Sequence, residues 1–266
     1  MIKLKTPGEI EKMRKAGKIT AAALNLAGEL IAVGVTTQKI DKAVQHFIVS
    51  QGATPTFLGY GGFPASICVS VNDEIIHGIP GVRKLKDGDV VSIDVGATYD
   101  GYVGDCAATF IVGDGTEEAR HLVDVTRESF YAGLQQARAG NRISDISRAV
   151  QEYAEKNGCS VVREYVGHGV GRDMHEAPEV PNFIANPRRG GDPRLVRGMT
   201  IAIEPMVNLG GQAIRQLADK WTIVTRDGSL SAHYENTVLI TDGQPEILTP
   251  HNVGVAVSVA ANSEGV

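Results

Sequence analysis

Four carboxylates, Asp94, Asp105, Glu204 and Glu235, and one imidazole, His168, fall in strand or glycine-turn settings where a charged group is out of place. Four ionised acids gathered at one low-dielectric site need compensating cations, because each buried negative charge makes the next harder to hold. Two divalent ions would bring +4 against −4. An oxygen-rich set with a single nitrogen suits Mn²⁺, Fe²⁺, Co²⁺ or Zn²⁺ better than a thiolate zinc site would. With five ligands for two ions, some carboxylates must bridge. A shared water in the remaining position would be acidic enough to attack as hydroxide near neutral pH. The competing explanation is ordinary: isolated Asp and Glu at strand ends are commonly surface residues. His77, set between apolar neighbours and Gly78, would by itself read as a hydrogen-bonded structural residue.

The elements that must position these groups repeat. Residues 85–94 and 195–204, laid over each other at an offset of 110, match Leu85 with Leu195, Gly88 with Gly198, Ile93 with Ile203 and Asp94 with Glu204. Each segment reads as a glycine turn entering a buried strand that ends in an acid. Helix pairs precede both. Thr6-Pro7-Gly8-Glu9 is a capping box with proline at the first helical position, and apolar spacing from Ile10 to Ile31 predicts a helix ending near Gly34. A second helix is predicted over 37–50, and another pair over 116–138 and 144–156. Such regularity indicates an internal duplication. Strands over 90–97 and 102–112, joined at Tyr99-Asp100-Gly101, form a hairpin. It would make Asp94 and Asp105 cross-strand neighbours, with β-carbons ~5 Å apart if directly opposed. Further strands are expected at 66–71, 159–166, 214–217, 221–225 and 230–240, the last carrying Glu235. The glycines of Gly167-His168-Gly169-Val170-Gly171 would let the backbone bend tightly and expose the imidazole.

Bulk properties narrow the class. A chain of 266 residues accommodates one large domain or two fused halves, and a net charge of −5 argues against nucleic-acid binding as the main activity. Three cysteines, Cys68, Cys106 and Cys159, without a Cys-x-x-Cys pair, predict free thiols in a reducing compartment. The N-terminus has charges where a secretory signal needs an apolar run, and no stretch approaches ~18 apolar residues. A cytoplasmic protein without membrane association is expected. The loop 53–64 holds Tyr60 and Phe63, equally compatible with a pinned loop and with a pocket wall. The arginines of the loop 188–194 read as solvated, and residues 251–266 as a flexible tail.

The segments Ser92-Ile-Asp94-Val, Gly104-Asp105, Gly167-His168-Gly-Val-Gly-Arg172, Ile203-Glu204-Pro-Met206 and Ser231-Ala-His-Tyr-Glu235-Asn-Thr237 resemble the signature segments of methionine aminopeptidases. Val71-Asn-Asp-Glu74 through His77-Gly-Ile-Pro80 fits the same family. The resemblance runs over residues 3–249 and is to the short bacterial form of type I, since the 35 residues between His168 and Glu204 leave no space for a type II insert. It implies an α/β (α+β) fold of the pita-bread kind: two pseudo-symmetric halves around a curved antiparallel sheet, in one domain over 1–250. It also implies a dinuclear, metal-dependent exopeptidase that uses a metal-bridging hydroxide to remove the initiator methionine when the second residue is small. By the same resemblance, Asp94 chelates one ion, Asp105 and Glu235 bridge both, and His168 and Glu204 complete the second. His77 would contact the substrate main chain, His175 would donate to its carbonyl oxygen, and Glu204 would shuttle the proton. Tyr60, Phe63, Cys68 and Trp221 match positions walling the methionine pocket. Met174 stands where relatives often have an aromatic, and Asn236 where a histidine is frequent. The implied partners are N-termini of nascent polypeptides, with a monomer acting on them and transient contact with the ribosome left open. Two rivals are a proline-adjacent peptidase, whose relatives usually carry a substantial extra N-terminal domain, and a non-catalytic protein on the same fold. The second predicts a missing ligand, and none is missing.

Overall fold

The computed structural model describes residues 1–184 and 191–253. Helix α1 (Pro7–Glu29) begins as its sequence dictates. The Thr6 hydroxyl accepts from the Glu9 amide while the Glu9 carboxylate accepts from the Thr6 amide, satisfying two donors that have no partner inside the helix. It stops at Glu29, short of the expected Gly34. The chain leaves the helix there so that the Gly34 amide can reach Leu85 O at 2.8 Å. Helices α2 (Thr37–Ser50), α3 (Glu117–Gln136) and α4 (Ile143–Lys156) lie close to where periodicity predicted them.

The duplication is visible in hydrogen bonds as well as in elements. Gly34 N donates to Leu85 O and Leu85 N to Val35 O; in the second half Gly140 N donates to Leu195 O and Leu195 N to Asn141 O. Thr36 bridges Lys84 as Arg142 bridges Arg194. Gly88 and Gly198 take φ of 81° and 88°, a left-handed turn conformation that a side chain would strain. Each half therefore ties the start of its second helix to the chain entering its acid-bearing strand.

In chain order the strands are β1 (Thr54–Pro55), β2 (Ile67–Val71), β3 (Glu74–Ile76), β4 (Val90–Tyr99), β5 (Tyr102–Ile111), β6 (Ser160–Val161), β7 (Gly167–Gly169) and β8 (Glu176–Val180). They continue as β9 (Thr200–Ile203), β10 (Met206–Asn208), β11 (Ile214–Gln216), β12 (Ile223–Thr225), β13 (Ser231–His233), β14 (Glu235–Leu239) and β15 (Glu246–Ile247). The main antiparallel sheet runs β1-β4-β5-β14-β9-β7-β8, with β2 also on β4 and β15 on β14. Two small sheets, β13-β10-β6 and β11-β12-β3, flank it. The four helices bury their apolar stripes with the inner residues of the main sheet: Leu24, Ile40, Val44, Phe130, Ile146 and Val150 share one core with Val69, Ile93, Ile201 and Val238. Each such side chain contributes ~1.5–3 kcal/mol relative to exposure, which holds the sheet rigid behind the acids.

Several expectations need correction. The strand expected over 159–166 shrinks to β6. The strand expected over 230–240 breaks at Tyr234, whose amide donates to Pro205 O, so that β13 and β14 enter different sheets. Neither acid-bearing strand ends in its acid: Asp94 is internal to β4, and Glu204 lies one residue beyond β9. The hairpin turns on two residues, Asp100 and Gly101, both with positive φ, which aligns Tyr99 with Tyr102. That register sets Asp94 opposite Ala107 and Asp105 opposite Gly96. The two acids are diagonal neighbours on one face, so direct opposition of like charges is avoided. Of the loop 188–194, residues 188–190 lie outside the described residues; Arg194 is exposed and donates to Gly140 O. Of the expected tail 251–266, only 251–253 are described, and His251 is buried with its ring 5.0 Å from that of Tyr234.

Helix α1 rides on β5 through a glycine contact. A Cβ at Gly104 would lie 2.8 Å from Gly17 Cα and from Thr20 Oγ1. Gly104→Ala is expected to destabilise the protein by ~1–3 kcal/mol through overpacking. Gly8→Ala, facing open space on α1, should leave stability unchanged or slightly raised. Urea unfolding of the two variants beside the parent checks both.

Candidate metal centre

The five candidate ligands come from five consecutive strands of the main sheet. Asp94 stands on β4, Asp105 on β5 and Glu235 at the start of β14; Glu204 follows β9, and His168 lies on β7. All five line one cavity of ≈ 150 Å³, together with Tyr60, Phe63, Cys68, His77, Met174, His175 and Trp221. Every site residue expected from the sequence is therefore brought to the same place.

Asp105 and Glu235 are 3% and 2% exposed, while Asp94 and Glu204 are partly exposed to the cavity. One oxygen each of Asp94, Asp105, Glu204 and Glu235 is buried without a hydrogen-bond partner among the described residues. Leaving a buried acceptor unpaired costs about 1–3 kcal/mol, and more for a charged one. Burial drives the Asp94, Glu204 and Glu235 carboxyls well above the usual carboxylate range, and the neighbouring Asp105 pushes each further. Burial raises Asp105 itself to about 7. Among the described residues no lysine or arginine lines the cavity to offset these acids. A set of carboxylate oxygens plus imidazole nitrogen, orphaned and mutually repelling, fits divalent cations.

The histidine is presented for the same purpose. His168 Nδ1 lies 2.9 Å from Gly169 O; donating there, it leaves Nε2 bare toward the acids, 3.3 Å from Glu204 Oε1 and 4.0 Å from Asp105 Oδ2. Burial, then the nearby His175, lowers its pKa to about 4, so the ring is a neutral donor of a lone pair. The glycines beside it have negative φ and do not bend the chain as expected. A Cβ on Gly167 would lie 2.4 Å from Ala202 O, and one on Gly169 2.4 Å from Ala177 O. They allow β9 and β8 to close tightly on either side of His168.

Two further histidines and an apolar wall line the same cavity. His77 adopts φ of 60°, a left-handed conformation uncommon for a non-glycine residue and often found at functional sites. Its ring meets Tyr165 edge-on at 5.5 Å, and burial followed by His175 holds its pKa down at about 4. His175 is exposed, its ring 4.2 Å from that of His168 and its Nδ1 2.7 Å from the Tyr60 hydroxyl. Burial of its surroundings lowers its pKa as well. The turn before it is clamped by Glu176, which accepts from the amides of Arg172 and Asp173 and pairs with Lys5 at 2.8 Å. Phe63 stacks edge-on to Trp221 at 5.1 Å, and buried Cys68 and Met174 extend the apolar wall. The Cys68 thiol is pushed up by burial and then by the acids, so it is a neutral wall group and not a nucleophile.

Three residues escaped the sequence reading. Phe57 lines the cavity and Tyr165 packs on His77. His233, 2% exposed, groups its imidazole with Asp94 and Glu235, all three ligand atoms within 4.8 Å of one another. Its place two residues before Glu235 is the signal the sequence offered, although the strand breaks between them at Tyr234. Nothing local marks Tyr165.

Residues 11–242 match the model of metallopeptidase family M24. A methionine aminopeptidase from Clostridium perfringens is 55% identical over 249 residues, covering 94% of this chain and 99% of that one. Among solved structures, a methionine aminopeptidase from Thermotoga maritima superposes with a TM-score of 0.90 at 46% identity, covering 94% of this chain and all of that one. A prolidase from Pyrococcus horikoshii superposes at 0.75 with 22% identity over 63% of its own length, a likeness of fold alone. The pita-bread architecture that the resemblance implied is thus shared with these solved structures.

The packed acids make a prediction for the metal-free protein. A carboxyl whose pKa is raised on folding keeps its proton where the unfolded chain has already lost it, so stability falls as pH rises. For Asp105 this window runs from the unfolded value near 4 up to about 7. The melting temperature of chelator-stripped protein should therefore fall between about pH 5 and 7, and added divalent ions should flatten that slope. A stripped protein equally stable across the range would mean the acids are not held together as described.

Proposed function

This chain belongs to metallopeptidase family M24, and on that premise we propose that it is a metal-dependent exopeptidase removing N-terminal methionine from peptides whose second residue is small. The observation that carries this reading is the meeting, in one cavity, of an uncompensated acid cluster with two neutral imidazoles and an apolar wall. Two divalent ions held there would neutralise the acids, anchor a free amino terminus and bring the pKa of water close to neutrality. Asp105 and Glu235, on adjacent strands, stand between Asp94 on one side and Glu204 with His168 on the other, which favours them as the shared ligands.

The chain's own groups account for the remaining chemistry. The Tyr60 hydroxyl lies 2.7 Å from His175 Nδ1, and when it donates there the neutral ring carries its proton on Nε2. From there it can donate to the scissile carbonyl oxygen as negative charge develops, a contribution of the size of an oxyanion-hole donor, about 10²–10³ in rate. Glu204 lines the same space with Oε1 lacking a hydrogen-bond partner among the described residues, and its carboxylate can take a proton from water and pass it to the leaving amine. His77, fixed in its left-handed conformation, borders the same space and suits a contact with the substrate main chain. Phe57, Phe63, Cys68, Met174 and Trp221 offer an apolar wall to an unbranched thioether. The modest cavity is in keeping with a small second residue. Buried free cysteines are in keeping with a reducing compartment, where the substrates would be nascent polypeptides.

Protein loaded with Mn²⁺, Fe²⁺, Co²⁺ or Zn²⁺ in turn is expected to release methionine from Met-Ala-Ser and to leave Leu-Ala-Ser largely intact. No cleavage with any of the four ions would overturn the reading. His175→Ala should keep its metal content by elemental analysis yet lose about 10²–10³ in kcat. Asp105→Asn should instead lose bound metal.

A further inference from the structure

Besides the five ligands considered so far, a sixth side chain faces the same cluster. His233 is 2% exposed, and its Nε2 is buried without a hydrogen-bond partner among the described residues. That atom lies 3.7 Å from Glu235 Oε2 and 4.0 Å from Glu204 Oε2. Both distances exceed a hydrogen bond, so His233 is not a structural histidine satisfied by the acids. The distance to Glu235 matches what two atoms sharing one ion require: with metal–nitrogen and metal–oxygen distances of about 2.0–2.2 Å, two ligand atoms of one ion lie at most about 4.4 Å apart. His168, on the other side of the cluster, also turns its Nε2 toward two acids, at 3.3 Å and 4.0 Å. Asp94, His233 and Glu235 form one compact group of ligand atoms and Asp105, His168 and Glu235 another, with Glu235 common to both.

The backbone of His233 is held for this geometry. Its amide donates to Thr109 Oγ1 at 2.9 Å, and Thr109 Oγ1 donates to its carbonyl at 2.9 Å. Having spent its one proton there, the Thr109 hydroxyl must accept from Ser92 at 2.8 Å. Ser92 lies two residues before Asp94 on β4, on the same face. A buried chain of hydroxyls thus locks His233 to the hairpin that carries Asp94. At its other end, His233 is two residues from Glu235, across the break at Tyr234.

We propose that His233 is a sixth ligand of the metal centre, contributing a nitrogen to the ion on the Asp94 side. The proposal rests on the reading that this cluster binds divalent ions. A neutral imidazole adds no charge, so four carboxylates still balance two ions. It changes the character of the first position from all-oxygen to mixed nitrogen and oxygen, which favours Co²⁺ and Zn²⁺ over Mn²⁺. Each ion would then have one imidazole of its own.

The test compares wild type with His233→Gln, which keeps size and polarity but removes the imidazole, and with His233→Ala. Calorimetric titration with Co²⁺ and with Mn²⁺ should show two ions bound by wild type. In both variants affinity for one of the two Co²⁺ ions should fall by about tenfold or more, with a smaller loss for Mn²⁺. In proton NMR of Co²⁺-loaded wild type, two exchangeable imidazole N–H signals should be shifted by the paramagnetic ions, and one in His233→Gln. The wild-type count needs no variant to fold. One shifted signal in doubly loaded wild type, or Co²⁺ affinities within twofold in the variants, overturns the assignment of His233 and leaves the metal centre standing. Failure of wild type to bind either ion overturns both.

Discussion

The constraint on which the structure turns is that four carboxylates share a site too small and too dry to keep them ionised unaided. Burial raises the pKa of all four of Asp94, Asp105, Glu204 and Glu235, Asp105 pushes the other three further, and each leaves a buried oxygen unpaired among the described residues. An arrangement of this kind persists only if the surrounding scaffold over-determines it. Here the scaffold is the long β4–β5 hairpin, the strands β14 and β9 beside it, and four helices packed behind. The apolar core beneath stabilises the fold enough to hold the acids in place, and cations then offset their repulsion.

Duplication explains how one chain brings these acids together. The paired hydrogen bonds at Leu85 and Leu195, and the left-handed glycines after them, repeat the same entry into β4 and β9. The halves then diverge where chemistry requires it. The first half extends into a tight two-residue hairpin that delivers a second acid, Asp105. The second half brings His168 in on the short strand β7, squeezed by its glycines between β8 and β9. The result is a pseudo-symmetric frame around an asymmetric cluster, with imidazole ligands at both ends if His233 acts as inferred.

On the substrate side, neutrality of the imidazoles matters as much as position. Burial keeps His77 and His168 uncharged, so neither adds charge to a cluster whose balance already depends on cations. The Tyr60 hydroxyl engages Nδ1 of His175, which leaves Nε2 as the nitrogen available to a substrate. Glu176, tied to Lys5 from the start of the chain, holds the turn that presents His175. The N-terminal residues thus reach the site through the ion pairs of Lys3 and Lys5 with this turn.

Much of this was legible in the order of residues. The Thr6 capping box, the four helices, the repeat and all five expected ligands could be read from local spacing, because helix caps, amphipathic periods and turn glycines are short-range signals. What local spacing could not decide was register and contact. Whether Asp94 opposes Asp105 or sits diagonal to it depends on one residue in the turn. Whether the glycines around His168 bend or allow close approach depends on the carbonyls of strands far away in sequence. His233 passed as an ordinary strand residue because its partners, Asp94 and Thr109, lie more than a hundred residues upstream. The sequence by itself determined which side chains could do the chemistry. Only tertiary packing decided their distances, their burial and therefore their charge.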